Sequence, residues 1–328
     1  MAFRDVVGHT RQLALLVGAV RRGSVPPTLL FAGPPGVGKW RVAVALAQAV
    51  NCPAQTDGDA CGACRSCDRV ARDVHVDVLT LAPDDSGAIK IDPVRDVLGR
   101  CGFRPFEGRR RVVAIRDADA LTEGAQNALL KSLEEPPPGT MFVLTSAAPD
   151  ALLRTVRSRT MRLAFGRLTT DDLVRLLVRD HAHTPEQARR AAALADGSAG
   201  AALALGSADM SAARAVATRL LGAATLGDVS SRLAVARDVV GKPELTRQEL
   251  IAVLRVASSL TRDLAIVHAG ADRGGLANGD AADLVDRLAA QIAAPAARRA
   301  FQTIDRGLTA LERNAGIKVV ADWIATEL

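Results

Sequence analysis

The chain has 328 residues, enough for two or three domains with buried cores. It is 48% hydrophobic, has no Tyr and carries a formal net charge of +6. No uncharged apolar run approaches the ~20 residues that span a bilayer, which excludes a helical membrane protein and leaves a helix-rich soluble one. The charge suits an anionic partner such as nucleic acid, and equally an excess of Arg that solvates helix faces. The opening Met-Ala-Phe-Arg-Asp has no apolar signal core, so a cytoplasmic location is expected.

In chain order, Thr28-Leu-Leu-Phe-Ala32 reads as a buried strand and Trp40 to Val50 as a helix. Between them, Gly33-Pro-Pro-Gly-Val-Gly-Lys39 fits the first seven positions of the phosphate-binding loop G-x-x-x-x-G-K-[ST]. In such a loop Gly33, Gly36 and Gly38 let backbone N–H groups wrap phosphates, and Lys39 reaches the outer ones. The eighth position should offer a hydroxyl to Mg²⁺ but is Trp40, whose indole has no oxygen and would crowd the metal. The frame is one for nucleotides, with a part needed for phosphoryl transfer missing.

Cys52-x8-Cys61-x2-Cys64-x2-Cys67 follows, in a loop-like stretch. Four thiolates at this spacing can close a tetrahedral structural zinc site with no open position for catalysis. Disulfides are disfavoured in a cytoplasmic chain, and an iron–sulfur cluster would call for redox partners. Cys101 reads as an ordinary packed cysteine.

Val76–Leu81, Arg111–Ile115 and Met141–Thr145 are further strand-like runs. They alternate with helical stretches over Pro93–Arg100 and Glu123–Glu135. This implies a parallel sheet with helices on both faces. Arg109-Arg110-Arg111 reads as a solvated strand entry. Asp117, just after the third strand, stands where a Mg²⁺-holding Asp belongs. After about Arg167 strand signals fade. Helix starts at Thr169–Asp172 and Pro185, and a break at Gly197-Ser198, describe a small helical segment. From Ser211 to Leu328 the pattern is of longer amphipathic helices.

Asn127-Ala-Leu-Leu-Lys-Ser-Leu-Glu-Glu-Pro-Pro137, Phe142–Ser146, Leu153–Arg159, the cysteine insertion and the ending Leu311–Ala315 together resemble bacterial clamp-loader subunits of the AAA+ superfamily. The resemblance implies an α/β AAA+ P-loop domain over 1–167 with a zinc module at 52–67, a helical lid over 168–208 and an all-α collar over 209–328. Motor members, gamma/tau, keep Thr after the loop Lys, Asp-Glu in the acidic motif, and an Arg two residues after Gly-Ser in the lid. Here those positions are Trp40, Ala118 and Gly200. A methyl group cannot act as a base. The three departures resemble the delta-prime branch, a non-hydrolysing stator of the DNA polymerase III holoenzyme.

The resemblance further implies partners gamma/tau and delta, and through the complex the sliding clamp and primed DNA, with ATP or ADP bound weakly or not at all. Ser158-Arg159-Thr160 is similar to the family's arginine-finger motif, in which Arg159 would reach a neighbour's γ-phosphate. Ser146 corresponds to a sensor of the nucleotide. Two other readings stand beside this one: an active gamma/tau-type ATPase, and a zinc-dependent nucleic-acid-binding protein on a degenerate frame. Against the latter, aromatic residues are few for a stacking platform.

Overall fold

The computed structural model describes residues 2–207, 210–223, 230, 234, 246–312 and 315–328. Parts of the C-terminal helical stretch, and Arg313 and Asn314 of the Leu311–Ala315 ending, lie outside the described residues. The chain divides into two compact units, Met1–Asp172 and Leu173–Leu328.

The first unit is built on five parallel strands: β1 (Thr28–Ala32), β2 (Val78–Leu81), β3 (Arg111–Ile115), β4 (Thr140–Ser146) and β5 (Met161–Ala164). Their spatial order is β2-β3-β4-β1-β5. The central strands are buried on both faces and read as continuous apolar runs, as strands between two helical layers must. Side chains alternate between two cores. Leu29, Phe31, Val112, Met141 and Val143 face one, with α2 (Lys39–Asn51) contributing Val42 and Leu46. Leu30, Ala32, Val113, Ile115, Phe142 and Leu144 face the other, with α4 (Ile91–Cys101) and α5 (Glu123–Glu134) supplying Val94, Val97, Leu129 and Leu133. This is the expected α/β P-loop architecture. Two other helices complete this side of the chain: α1 (Thr10–Arg21) and α3 (Arg65–Ala71), the latter closing the cysteine insertion. A short α6 (Arg154–Arg157) precedes β5.

The strand order puts β1 between β4 and β5. Chain that leaves β1 goes to the far edge at β2 and returns, so the carboxyl ends of β1, β3 and β4 gather where the order reverses. Open α/β sheets bind ligands at this place. The register is set by pairs such as Ala32 with Ser146 and Leu29 with Phe142's neighbour Val143.

The second unit is helical among the described residues. It runs from α7 (Thr170–His181), which begins in the first unit, through α8 (Pro185–Leu194), α9 (Ala199–Ser207), α10 (Met210–Ala223), α11 (Arg247–His268), α12 (Ala282–Gln291), α13 (Ala294–Glu312) and α14 (Ile317–Glu327). In α11, Leu250, Val253, Leu254, Ala257, Leu260 and Leu264 are buried at three- and four-residue steps, the stripe an amphipathic helix presents. It packs against α10 and α13. Thr246 caps it, accepting from Glu249 N while Glu249 reaches back. No helix among the described residues is long and apolar enough to cross a membrane.

Candidate functional site

The glycine loop joins β1 to α2. Gly36 and Gly38 hold φ of 70° and 103°, in the left-handed region that favours glycine. Gly33 is required by proximity: a Cβ there would meet the carbonyl oxygen of Phe165 at 2.1 Å. That backbone is fixed in turn, because Phe165 N donates to Ala32 O at 2.7 Å and its ring packs on Phe31 and His9. His9 Nε2 lies 2.8 Å from Val37 O, a second tie on the loop that the sequence did not announce.

Lys39 is buried, and its ammonium donates to the carbonyls of Gly33 and Pro34, each at 2.7 Å. Burial lowers its pKa, with Asp117 and Asp119 pulling the other way. Trp40 is half-buried and packs on the core shared by β1 and α2, with the Arg116 guanidinium 6.0 Å from the ring. Asp117 sits at φ 52°, with its N–H donating to Thr145 Oγ1 at 3.1 Å. Its carboxylate is 3.6 Å from Arg116 Nε. Desolvation raises its pKa, opposed by Arg116. The methyl of Ala118 is fully buried. Asp119 Oδ1 accepts from Ala147 N at 3.0 Å and steadies the turn after β4.

Ser146 ends β4 beside the loop: its carbonyl accepts Gly33 N–H at 3.1 Å. Its hydroxyl is buried without a hydrogen-bond partner. An unpaired buried hydroxyl beside a glycine loop is chemically suited to a polyphosphate oxygen. The structure therefore gathers Gly33, Gly36, Gly38, Lys39, Asp117 and Ser146 at one end of the sheet.

The cysteines form a second centre. The Sγ atoms of Cys52, Cys61, Cys64 and Cys67 all lie within 4.8 Å of one another. Cys52 Sγ is 3.9 Å from Cys64 Sγ, and Cys61 Sγ 4.0 Å from Cys67 Sγ. A tetrahedron with Zn–S bonds of about 2.3 Å has edges of about 3.8 Å, near these two separations, so the cluster is of a size that suits this ion. Backbone N–H groups of Cys61, Cys64 and Cys67 point at Cys52, Cys61 and Cys64 sulfurs at 3.4, 3.3 and 3.5 Å, the outer hydrogen bonds that orient thiolate ligands. Those from Ala63 and Cys64 pull the Cys61 thiol down to about 6. Burial pushes Cys52 and Cys67 up. A divalent cation is what lets such buried thiols ionise.

The module is tied to its surroundings at several points. Asp59 accepts from the N–H groups of Phe3, Arg4 and Ala60, Gln48 Nε2 donates to Cys67 O at 2.6 Å, and Ser66 Oγ bridges Asn51 O and His75 Nε2 at 3.2 Å each. Cys101, apart from this group, is buried with its thiol donating to Val97 O.

The arginine run differs from its expected solvated form. Arg109 is exposed, but Arg111 is buried and pairs with Asp77 at 3.1 Å. Arg159, after α6, is about one-third exposed and pairs with Glu134, a partner that nothing in the sequence pattern signalled. In the second unit Ser198 Oγ accepts Ala201 N–H and caps α9, and Gly200 lies exposed in its first turn.

The family profile described as "DNA polymerase III, delta subunit" matches residues 8–169. Subunit tau of DNA polymerase III from Escherichia coli K12 is 33% identical over 208 residues, 62% of this chain and 32% of tau. Subunit delta' from the same organism is 35% identical over 191 residues, 58% of this chain and 57% of that protein. The chain thus spans about a third of tau and somewhat over half of delta'. Among solved structures, a DNA polymerase III gamma subunit-related protein of Thermotoga maritima matches with a TM-score of 0.41 and 17% identity, covering 91% of this chain and 99% of that one.

Proposed function

Because residues 8–169 belong to the clamp-loader subunit family of DNA polymerase III, we propose that the chain is a delta-prime-type member of it: a non-hydrolysing subunit that assembles with gamma/tau and delta and supports placement of the sliding clamp on primed DNA. Identity does not separate the branches, being 33% to tau and 35% to delta'. The make-up of the nucleotide site favours the delta-prime reading. The observation that carries the reading is Ala118, a buried methyl where a motor subunit needs a carboxylate to polarise water. Trp40 supports it: half-buried and packed against the core, it stands at the position where a metal-binding hydroxyl is needed.

Gly33, Gly36, Gly38, Lys39, Asp117 and Ser146 then form a vestigial nucleotide site, with ATP or ADP bound weakly or not at all. Residues 168–208 act as a lid and 209–328 as the oligomerising collar. Cys52, Cys61, Cys64 and Cys67 hold a structural Zn²⁺. The ion's role there is to cross-link the module to α2, not to take part in chemistry. Arg159 serves a neighbour: its guanidinium stabilises charge developing on the γ-phosphoryl group in the motor subunit's site, an effect worth about 10³–10⁵ in rate in other systems. The work of the chain takes place in the cytoplasm, inside the replicative polymerase assembly.

Reconstitution with wild-type gamma/tau and delta tests this. Arg159→Ala should leave assembly intact and depress DNA-dependent ATP hydrolysis at the adjacent motor site, and clamp loading with it. Wild-type turnover by an assembled Arg159→Ala complex refutes the trans role. The alternative of an active gamma/tau-type ATPase requires turnover by the chain alone, abolished by Lys39→Ala.

A further inference from the structure

Of the seven Phe residues, Phe3, Phe31, Phe142 and Phe165 are buried and Phe301 is 39% exposed, while Phe103 and Phe106 are 75% and 86% exposed. Both belong to the loop Gly102–Arg110 between α4 and β3, at the opposite end of the strands from the glycine loop. Exposed phenyl rings on a slack loop would mean little. This loop is not slack. The fully buried carboxylate of Asp77 accepts the N–H groups of Phe106, Glu107 and Gly108, each at 2.8 Å. Arg111, also buried, binds that carboxylate at 3.1 Å and the carbonyls of Phe103 at 2.6 Å and Arg104 at 3.2 Å, and reaches Arg100 O as well. A buried ion pair is a poor way to gain stability. Here it fixes the backbone on either side of both rings.

The charges around the rings point one way. Arg100, Arg104 and Arg109 are exposed and form no ion pair among the described residues. The one acid of the loop, Glu107, is engaged by Arg69. Within ten residues the surface therefore offers two exposed aromatic rings on a pinned backbone and three guanidinium groups without an ion-pair partner. Polyanions with flat, apolar, exposed faces are unpaired nucleotides: bases stack on rings irrespective of sequence, and phosphates meet the Arg side chains. Duplex DNA hides those faces.

We infer that the Gly102–Arg110 loop is a binding site for single-stranded nucleic acid, with Phe103 and Phe106 as the stacking platform and Arg100, Arg104 and Arg109 as phosphate contacts. The inference stands apart from the clamp-loader reading, since it concerns the other end of the sheet and uses this chain alone.

The test is fluorescence anisotropy of a labelled 20-mer of deoxythymidine, with a duplex 20-mer as control, on the full zinc-loaded chain at low salt. The single strand is expected to bind more tightly than the duplex. Phe103→Ala/Phe106→Ala should weaken it about 30-fold, from ~1 kcal/mol for each stacked base. Thermal melting should not change, because both rings are already in solvent. Arg104→Ala/Arg109→Ala should weaken binding and flatten the salt dependence by about 1.4 in log–log slope. No binding by the wild type, equal binding by the Phe double variant, or duplex bound as tightly as single strand overturns the proposal. In the first case the face falls to a protein partner.

Discussion

The guanidinium of Arg159 is held against Glu134: Nε and Nη2 donate to the same carboxylate oxygen at 3.1 and 3.0 Å, while Nη1 donates to Thr155 O at 3.1 Å. Arg has five N–H donors, so two remain for a further acceptor. The side chain is thus steadied on its own subunit without being used up. The pair is exposed enough that it adds ~0–1 kcal/mol to stability. Arg159→Ala and Glu134→Gln are each expected to unfold within about 1 kcal/mol of wild type in urea. In a reconstituted ring, Glu134→Gln should lower the neighbour's kcat with KM for ATP unchanged, by less than Arg159→Ala does. A Glu134→Gln ring that turns over at the wild-type rate removes the steadying role.

The chain alone should hydrolyse ATP no faster than background, and Trp40→Thr should not restore turnover. The substitution returns a hydroxyl, but Ala118 still provides no base. Phosphate release from the purified Trp40→Thr protein at a motor-like rate would contradict the assignment.

One zinc per chain is expected by elemental analysis of protein purified without chelators. Cys64→Ser should lose the metal, and the first consequence should be local: proteolytic cleavage within 52–67 before the rest of the sheet domain opens, since structural zinc binding is coupled to folding. Metal-free protein with an uncleaved module would count against a zinc role.

Asp77→Asn should destabilise the fold by about 3 kcal/mol at neutral pH, as breaking a buried ion pair leaves Arg111 uncompensated. Burial alone would raise the Asp77 pKa, but the N–H groups of Gly108, Glu107 and Phe106 together with Arg111 outweigh it and hold it below the ordinary value. The folded state therefore binds the proton more weakly than the unfolded one. Its contribution is complete above the unfolded value near 4 and is lost as pH falls through the folded value. Urea unfolding at pH 7 and at about pH 3 should show the gap between wild type and Asp77→Asn narrowing in acid. A constant gap would refute this.

Gly33→Ala should cost roughly 1–3 kcal/mol, because the new methyl meets backbone, which cannot step aside as a flexible side chain would. Thermal melting compared with Gly222→Ala, where a Cβ meets nothing within 4 Å, separates this clash from general glycine effects.

What could be read from the residues was whatever local chemistry dictates. The β1–loop–α2 unit follows from glycines at fixed spacing, and the sulfur cluster from Cys spacing that brings four Sγ atoms within 4.8 Å. β5 escaped notice because three of its four residues, Met161, Arg162 and Ala164, are exposed and give no apolar run. The Arg109–Arg111 run was misjudged at Arg111, since its partner Asp77 lies 34 positions away and only the fold brings the two together. The same holds for Glu134 and Arg159, 25 positions apart. Long-range ion pairs leave no periodic trace.

The position of Lys39 has a consequence for selectivity. With its ammonium already coordinated by the Gly33 and Pro34 carbonyls, the loop carries an internal competitor for any anion that approaches. A polyphosphate must first pull the lysine off two charge-assisted hydrogen bonds, each worth ~1.5–3 kcal/mol net. Even the smaller of these figures would reduce apparent affinity by more than a hundredfold for the two bonds together. The loop would then be silenced by self-occupancy, with its glycines intact, and mutations that merely restore lost catalytic groups would leave that competitor in place.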